Sequence, residues 1–329
     1  MLVAKNSPSA RPPWENPWAR FALVRLASLT AVLTTLLVTT FMILHLIPGD
    51  PARRIAGPQA LPQQVEQLRE TLGLNNPLLV QFTEYAKGVL QWDLGTSFVT
   101  REPVIKIISD RLPKTAQLAA AAVALMVVLA VPVGIVVGAM TREGRHPRFE
   151  SLFTGITGVV GALPEYLAAT FLVFIFAVWL HWLPVGGAGT WTSLILPALA
   201  VAVRPIAALS RIVRVETLNV LAQDYIRTAR SKRLPDRLLY FRHALRNVLT
   251  AVLTIAGMYF AELIGGTVIV ENVFAWPGLG TAIIQAVHGL DLPVIQGTTL
   301  FLGLVVVVVN ATVDVLLGFV DPRSLVRGW

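Results

Sequence analysis

The sequence contains no cysteine and few charged residues. None of its 329 residues is a cysteine, which excludes disulfides, thiolate metal sites and a cysteine nucleophile. Only 14% of the residues are charged and 55% are hydrophobic, whereas soluble domains carry about 25% charged residues. A large part of the chain must therefore face lipid, and we expect an integral membrane protein.

Motifs for catalysis and for nucleotide binding are also missing. Gly278 and Gly280 lie close together, but a third glycine and a Gly-Lys-Ser/Thr string do not follow them. The five histidines are scattered, and no nucleophile lies beside a base. We expect a chain that is not an enzyme on its own and that binds no cofactor and no metal.

The net charge of +8 has two interpretations. Nucleic-acid binding is one of them. However, the Lys and Arg residues cluster in loops beside apolar runs, which is what the orientation of a membrane protein requires. We therefore expect membrane lipid and no nucleic acid as a partner.

Six apolar runs are long enough to cross a membrane, and they predict an all-α protein. They are residues 21–47, 115–140, 152–180, 193–209, 248–270 and 293–320. The third run is broken near Pro164, and Pro197 and Pro205 predict a kink in the fourth. The first run is longer than the roughly 7–15 apolar residues of a signal peptide, and no cleavage site follows it.

The positions of the basic residues predict the orientation of the spans. With six spans, Arg20, the loop 142–148, the stretch 211–246 and the residues after 320 all fall on one side. Cytoplasmic loops carry the excess of Lys and Arg, so both termini are predicted to be cytoplasmic. Trp179, Trp182 and Trp191 surround a Gly-rich turn without charged residues, and they predict an interfacial belt there.

These patterns divide the chain into five parts. We predict a disordered cytoplasmic tail (1–20), a first transmembrane helix (21–47), an extracytoplasmic insertion (48–114), a core transmembrane domain (115–323) and a second cytoplasmic tail (324–329). The insertion is expected to contain short helices at 64–72 and 77–90. Two roles stay open for it: contact with a substrate-binding protein, or a lid over the membrane domain.

Gly134 and Gly138 form a small-xxx-small pair in the second predicted span. Such a pair allows the backbone of another helix to approach closely. On its own this spacing is weak evidence for a helix contact.

The longest basic segment, residues 218–250, lies between apolar runs. The apolar face of its first predicted helix consists of Leu218, Leu221, Ala222, Tyr225 and Ala229. Pro235 ends that helix and suits the first position of the next one, where Asp236 complements the helix dipole. Two short amphipathic helices between spans are typical of a docking element.

This segment resembles the coupling loop of bacterial ABC-importer permeases of the dipeptide and oligopeptide branch. The resemblance starts from DYIRTARSKRLP at residues 224–235 and HALRN at 243–247. Similar blocks occur in order elsewhere: LIPGDP at 46–51, WDLGTS at 92–97, ENVF at 271–274, WPGLG at 276–280 and DLPVIQG at 291–297. The resemblance covers roughly residues 18–323.

The resemblance implies a permease subunit of a peptide importer in the bacterial cytoplasmic membrane, with the six-helix type I permease fold. Its implied partners are a second homologous permease, two ATP-binding subunits that use ATP and Mg, an extracytoplasmic substrate-binding protein and a peptide substrate. The residues that match the ATPase-coupling motif are Asp224, Tyr225, Thr228, Ala229, Arg230, Arg233, Leu234 and Pro235.

The chain departs from the family pattern at two positions. Arg233 stands where the family usually has Gly, and Ala251 where Pro is common. A left-handed helix cap at Arg233 would cost on the order of 1 kcal/mol. Either the turn is built differently, or the partner permease carries the more typical loop.

Polar and ionisable residues inside spans are candidates for the translocation path, because their burial in lipid costs at least about 2.5–3.5 kcal/mol. Glu165, Glu262 and Asn310 are the candidates. A glutamate that lines a cavity could bind the amino terminus of a peptide. Interhelical hydrogen bonds or ion pairs are the alternative for each of them.

Three other functions stay open. The same machinery imports nickel, glutathione or an oligosaccharide in related systems. A proton-coupled secondary transporter would use the membrane carboxylates, but the inverted repeat of many such folds is not evident. A scaffold that only anchors other subunits would leave the coupling loop unexplained.

Overall fold

The computed structural model of the chain describes residues 17–46, 50–57, 59–231 and 245–320. These residues form α-helices joined by turns, and no β-strand occurs among them. The predicted disordered tail lies outside the described residues up to position 16, and so does the second tail. The helices are α1 (Pro17–Leu46), α2 (Pro51–Ala56), α3 (Pro62–Thr71), α4 (Leu78–Leu90), α5 (Val104–Met140), α6 (Pro147–Ala162), α7 (Glu165–Leu172), α8 (Ile195–Leu221), α9 (Asp224–Ser231), α10 (Leu245–Gly266), α11 (Val268–Val273), α12 (Leu279–Gly289) and α13 (Leu292–Val320).

The long apolar helices match the predicted spans. Within the described residues, α1, α5, α8 and α13 are each long and apolar enough to cross a membrane, and the bent pair α6–α7 makes a fifth candidate. The fifth predicted span corresponds to α10, whose segment Val252–Gly266 is a shorter apolar helix. The all-α membrane architecture is thus confirmed.

The predicted break in the third span is confirmed and is larger than a kink. The axis turns by 98° between α6 and α7. Leu163 and Pro164 adopt extended backbone angles there, because the residue before a proline is disfavoured in the α region. After α7 the helix widens into a π-helical turn over Val173–Trp179.

Helix α8 lies at the centre of the fold. It contacts α5, α6, α7 and α10. Small residues on several faces, including Ala200, Ala202 and Ala207, are fully or almost fully buried. Because these side chains are short, the neighbouring helices approach α8 closely from more than one side.

The predicted end of the fourth span at residue 209 is wrong. Helix α8 continues to Leu221 without interruption, so residues 210–221 belong to the same helix. Pro197 lies in the first turn of α8, where a proline removes no helical hydrogen bond, and Pro205 is the one inside the helix.

The predicted boundary between the insertion and the second span, at residues 114 and 115, lies inside a helix. Helix α5 begins at Val104 and includes Pro113. Val104 and Ile108 are almost fully buried in the main core. This i, i+4 apolar pair packs the first turns of α5 against the rest of the protein. The start of the helix was not evident in the sequence, because polar residues surround the pair.

The insertion contains the two predicted short helices as α3 and α4, and α2 precedes them. Helix α4 packs against α1, where the rings of Phe82 and Phe41 meet edge to face at 5.3 Å. The hydroxyl groups of Tyr85 and Thr40 are hydrogen-bonded at 3.1 Å. Burial raises the pKa of Tyr85, so this phenol stays neutral at physiological pH.

The three tryptophans of the predicted interfacial belt are exposed. Trp179 and Trp182 are each 70% exposed and Trp191 is 78% exposed. They lie in and around the loop between α7 and α8. A position at the edge of the bilayer satisfies both the apolar ring and the polar indole nitrogen.

Candidate coupling and translocation sites

The predicted coupling helix is interrupted where it was expected to be continuous. Helix α8 ends at Leu221, and α9 starts at Asp224 after a turn in which the Gln223 amide donates to the Val220 carbonyl at 3.2 Å. Asp224 lies in the first turn of α9, where a carboxylate complements the helix dipole.

This interruption changes the apolar face. Ala222 and Tyr225 were predicted to share a face with Leu221, but both are exposed, and Tyr225 is 43% exposed. Ile226 is instead fully buried, and Leu221 is 1% exposed. Because a two-residue turn separates α8 from α9, one helical period cannot be continued from Leu218 to Ala229. The apolar face predicted from that period is therefore wrong. We infer from its burial that Ile226, and not Tyr225, anchors α9 to the body of the protein.

Only part of the predicted coupling motif can be located. Thr228, Ala229 and Arg230 lie on α9. Arg233, Leu234 and Pro235 lie outside the described residues, as does the turn expected at Pro235. Their coupling role stays a prediction.

An ion pair joins the last third of α8 to α6, and no pattern in the sequence indicated it. The Arg214 guanidinium donates from Nη2 to Glu150 Oε1 at 2.5 Å and from Nε to Thr141 Oγ1 at 3.1 Å. Arg214 is only 14% exposed. Thr141 follows α5 directly, so one side chain connects α5, α6 and α8 about two turns before the end of α8.

The small-xxx-small pair makes the helix contact that the sequence suggested. A methyl group added at Gly134 would lie 2.6 Å from Val213 Cβ, and one at Gly138 would lie 2.9 Å from Thr217 Cβ. Both partners are on α8, four residues apart. The glycines therefore allow α5 and α8 to pack with their backbones in close approach.

The block from Glu271 to Thr281 forms a buried carboxylate network at one end of the spans. Glu271 is fully buried. Its Oε1 accepts from the hydroxyls of Thr115 at 2.8 Å and Thr267 at 3.1 Å, and its Oε2 accepts from the amides of Gly280 at 2.8 Å and Thr281 at 3.3 Å. Burial raises the pKa of Glu271, and these hydrogen bonds oppose that rise.

The glycines of the same block are required by this carboxylate. A methyl group at Gly278 would lie 2.3 Å from Glu271 Oε2. Gly280 offers its amide to the carboxylate and leaves no room for a side chain, since a methyl group there would lie 2.5 Å from Val268 Cα. The WPGLG string thus shapes a helix start around a carboxylate.

A second buried carboxylate connects the insertion to the last helix. Asp291 is 3% exposed. It accepts hydrogen bonds from the Ser97 hydroxyl and from the amides of Phe98 at 3.0 Å and Val99 at 3.4 Å. The WDLGTS and DLPVIQG blocks, which are far apart in the chain, therefore meet in space.

The translocation-path candidates are on three different helices. Glu165 starts α7 and is half-buried, Glu262 is exposed on α10, and Asn310 is half-buried on α13. Glu165 and Glu262 interact electrostatically with each other, and Arg204 of α8 is close enough to act on Glu165. Asn310 makes no hydrogen bond to any side chain that the structure describes. The fold thus brings the two glutamates together and adds an arginine that the sequence analysis had not singled out.

Comparisons with known proteins identify the family. The family described as "Binding-protein-dependent transport system inner membrane component" matches residues 130–326, and the N-terminal part of this membrane component matches residues 18–119. The chain belongs to this family of importer permeases. The family is one of membrane transport subunits, so this permease is a multi-pass inner-membrane protein.

Relatives match almost along their whole length. A Brucella abortus protein that carries the provisional name peptide transport system permease is 41% identical over 309 residues, which is 92% of this permease and 97% of the relative. The glutathione transport system permease GsiC of Salmonella typhi is 38% identical over 302 residues, again with 92% and 97% covered. A solved structure of the MetNI methionine ABC transporter in an inward-facing conformation has a TM-score of 0.56 at 17% identity, covering 66% of this permease and 97% of that chain. That likeness confirms the type I permease fold.

Proposed function

We propose that this permease forms half of the translocation pathway of an ATP-driven importer for short peptides. Two ATP-binding subunits, a second homologous permease and an extracytoplasmic substrate-binding protein complete the complex. The observation that carries the proposal is α9, a short amphipathic helix that follows the central helix after a two-residue turn and carries the first part of the predicted coupling motif, from Asp224 to Arg230.

The contacts around α9 support a role in coupling. A force on α9 reaches the core through buried Ile226 and reaches α8 through a turn of two residues. Arg214 and the Gly134–Gly138 packing connect α8 to α5 and α6. These contacts form a continuous path from the docking helix to three membrane helices, so closure of the ATPase subunits would move the helices together.

The substrate class rests on the relatives. One is named for peptide transport and another for glutathione transport, both at 38% identity or more over most of the chain. Glutathione is itself a tripeptide with free charged ends. We therefore propose peptides of a few residues as substrates, with glutathione import as the second candidate.

The arrangement in the membrane follows from the proposed function. Helix α9 must reach the ATPase subunits, which places it, both termini and the basic loop 142–148 in the cytoplasm. The insertion with α2, α3 and α4 then faces the opposite side, where it can meet the substrate-binding protein.

Co-purification from the native membrane in mild detergent, followed by reconstitution, tests the proposal. We expect a second permease and ATPase subunits to accompany the chain, and we expect liposomes with internal ATP and external binding protein to accumulate radiolabelled trialanine. Uptake that is driven by a proton gradient and needs neither ATP nor partners would contradict the proposal and would favour a secondary transporter.

A further inference from the structure

Three neighbouring helices of the membrane domain bring charges of both signs to one place. Helices α7 and α10 both pack against α8. Glu165 is in the first turn of α7, and Tyr259 and Glu262 are three residues apart on α10, so they share a face. Arg204 and Arg211 are two turns apart on the same face of α8. Tyr259 interacts electrostatically with Glu262 and with both arginines. We call these five residues the mixed-charge cluster.

The cluster cannot face lipid. Arg204, Arg211 and Glu262 are exposed on this permease, although their helices lie in the membrane. Each charged side chain in hydrocarbon would cost at least about 2.5–3.5 kcal/mol. No direct ion pair joins the four charged members in the part of the chain that the structure describes. Their charges are therefore available to a water-filled cavity and to a charged ligand in it.

We propose that the mixed-charge cluster binds the two ends of a short zwitterionic peptide during its passage. Glu165 and Glu262 bind the terminal ammonium, and Arg204 and Arg211 bind the terminal carboxylate. An arginine suits a carboxylate because its planar fork donates two parallel hydrogen bonds. This inference rests on the proposed function and adds the groups of the substrate that the permease itself recognises.

The extent of the cluster is comparable with the length of a short peptide. Along α8 the cluster covers the two helical turns from Arg204 to Arg211, which is about 10 Å. An extended peptide spans about 3.3–3.6 Å per residue, so a peptide of about three residues is as long as the cluster. Glu165 is at the bend between α6 and α7. Arg211 approaches α6 near this bend, because a methyl group added at Gly161 would lie 4.0 Å from Arg211 Nη2. Carboxylates and guanidinium groups therefore lie within one peptide length of each other.

The test uses the complete importer in liposomes with internal ATP, external binding protein in excess, and three labelled probes. The probes are trialanine, N-acetyl-trialanine and trialanine amide. Uptake by each variant is divided by wild-type uptake of the same probe, so that the selectivity of the binding protein cancels. We expect Glu262→Gln to lower trialanine uptake about tenfold, because the variant loses one hydrogen bond between charged groups. Uptake of N-acetyl-trialanine, which has no terminal ammonium, should change less than twofold. Arg204→Gln is expected to show the same pattern with the amide as the insensitive probe.

Two variants serve as controls. Glu262→Asp keeps the charge and is expected to retain the preference for the free amine. Glu143→Gln makes the same chemical change at an exposed loop carboxylate that pairs with Arg142, and it is expected to leave all three probes unchanged. If Glu262→Gln does not assemble, Glu165→Gln provides the same test from α7.

The outcomes separate the inference from the proposed function. Equal losses for all three probes in both variants would show that the cluster serves structure or gating, and would overturn the inference while peptide import stands. Failure of the assembled wild-type importer to take up any probe would contradict the proposed function itself. If wild type takes up only free trialanine, a tripeptide with a central diazirine replaces the blocked probes, and photo-crosslinks on α7, α8 or α10 are expected. Crosslinks confined to other helices would overturn the inference.

Discussion

Replacing Gly134 by alanine should push apart α5 and α8, which pack closely at this glycine. The added methyl group would lie 2.6 Å from Val213 Cβ and Cγ1 and 2.7 Å from the Ser210 carbonyl oxygen. Carbon atoms pack best at about 3.5–4.0 Å, so α8 must move away by about 1 Å. One contact is a backbone atom and the other is a stiff β-branched side chain, so neither can rotate aside.

The expected magnitude is the difference of two effects. Gly→Ala in a helix is intrinsically favourable by about 0.5–1 kcal/mol. Overpacking in a well-packed interior costs typically about 1–3 kcal/mol, and more where backbone must shift. We therefore expect Gly134→Ala to lower the free energy of unfolding by about 1–2 kcal/mol. Gly138→Ala should have a smaller effect, because its nearest contact is 2.9 Å.

The chain offers a matched control on a neighbouring helix. A methyl group at Gly155 of α6 has nothing within 4 Å, so Gly155→Ala should be neutral or stabilising by up to about 1 kcal/mol. The assay is SDS titration of the purified chain in mixed micelles, followed by circular dichroism. If Gly134→Ala and Gly155→Ala have the same midpoint, the close packing of α5 on α8 does not contribute as we argue.

Three further predictions test the other contacts. Ile226→Ala removes a fully buried side chain, so it should destabilise the permease by about 2–5 kcal/mol and weaken ATPase stimulation. Tyr225→Ala changes an exposed side chain and should alter stability by less than about 1 kcal/mol. Equal effects of the two variants would contradict the anchoring role of Ile226. A double-mutant cycle of Arg214→Met and Glu150→Gln should give a coupling energy of about 1 kcal/mol, and additive losses would show that the pair contributes nothing. Burial raises the pKa of Glu271, so the folded state binds the proton of this carboxyl group more tightly than the unfolded state does. The contribution of Glu271 to the free energy of unfolding should therefore fall as the pH rises above the ordinary glutamate pKa. From pH 5 to pH 7, the free energy of unfolding should therefore fall less in Glu271→Gln than in the wild type. If the two proteins have the same pH profile, Glu271 does not make this contribution.

The local patterns in the sequence predicted the membrane architecture well. Apolar length gave the spans, and Pro164 gave the break, because a proline acts on its immediate neighbours. The glycine pair predicted a close helix contact but could not name its partner. The partner residues are on α8, and the spacing of glycines within α5 gives no information about which helix packs there.

The residues that sequence reasoning missed act across long separations. Arg214 is 64 residues from Glu150, and nothing in either local sequence indicates the other. Ile226 was missed for a different reason: the helical period was read through a turn at Ala222 that no proline or glycine marks. Arg204 became a candidate only when α7 and α10 were seen to pack beside it.

The contact of Ser97 with Asp291 has a consequence for how the chain is made. The two residues are 194 positions apart, and a ribosome adds about 5–20 residues per second. The loop that carries Ser97 must therefore wait roughly 10–40 seconds for its partner to be synthesised. During that time the amides of Phe98 and Val99 lack their carboxylate acceptor. A chain that stops before residue 291 never closes this contact, so its insertion stays without this connection to the last helix.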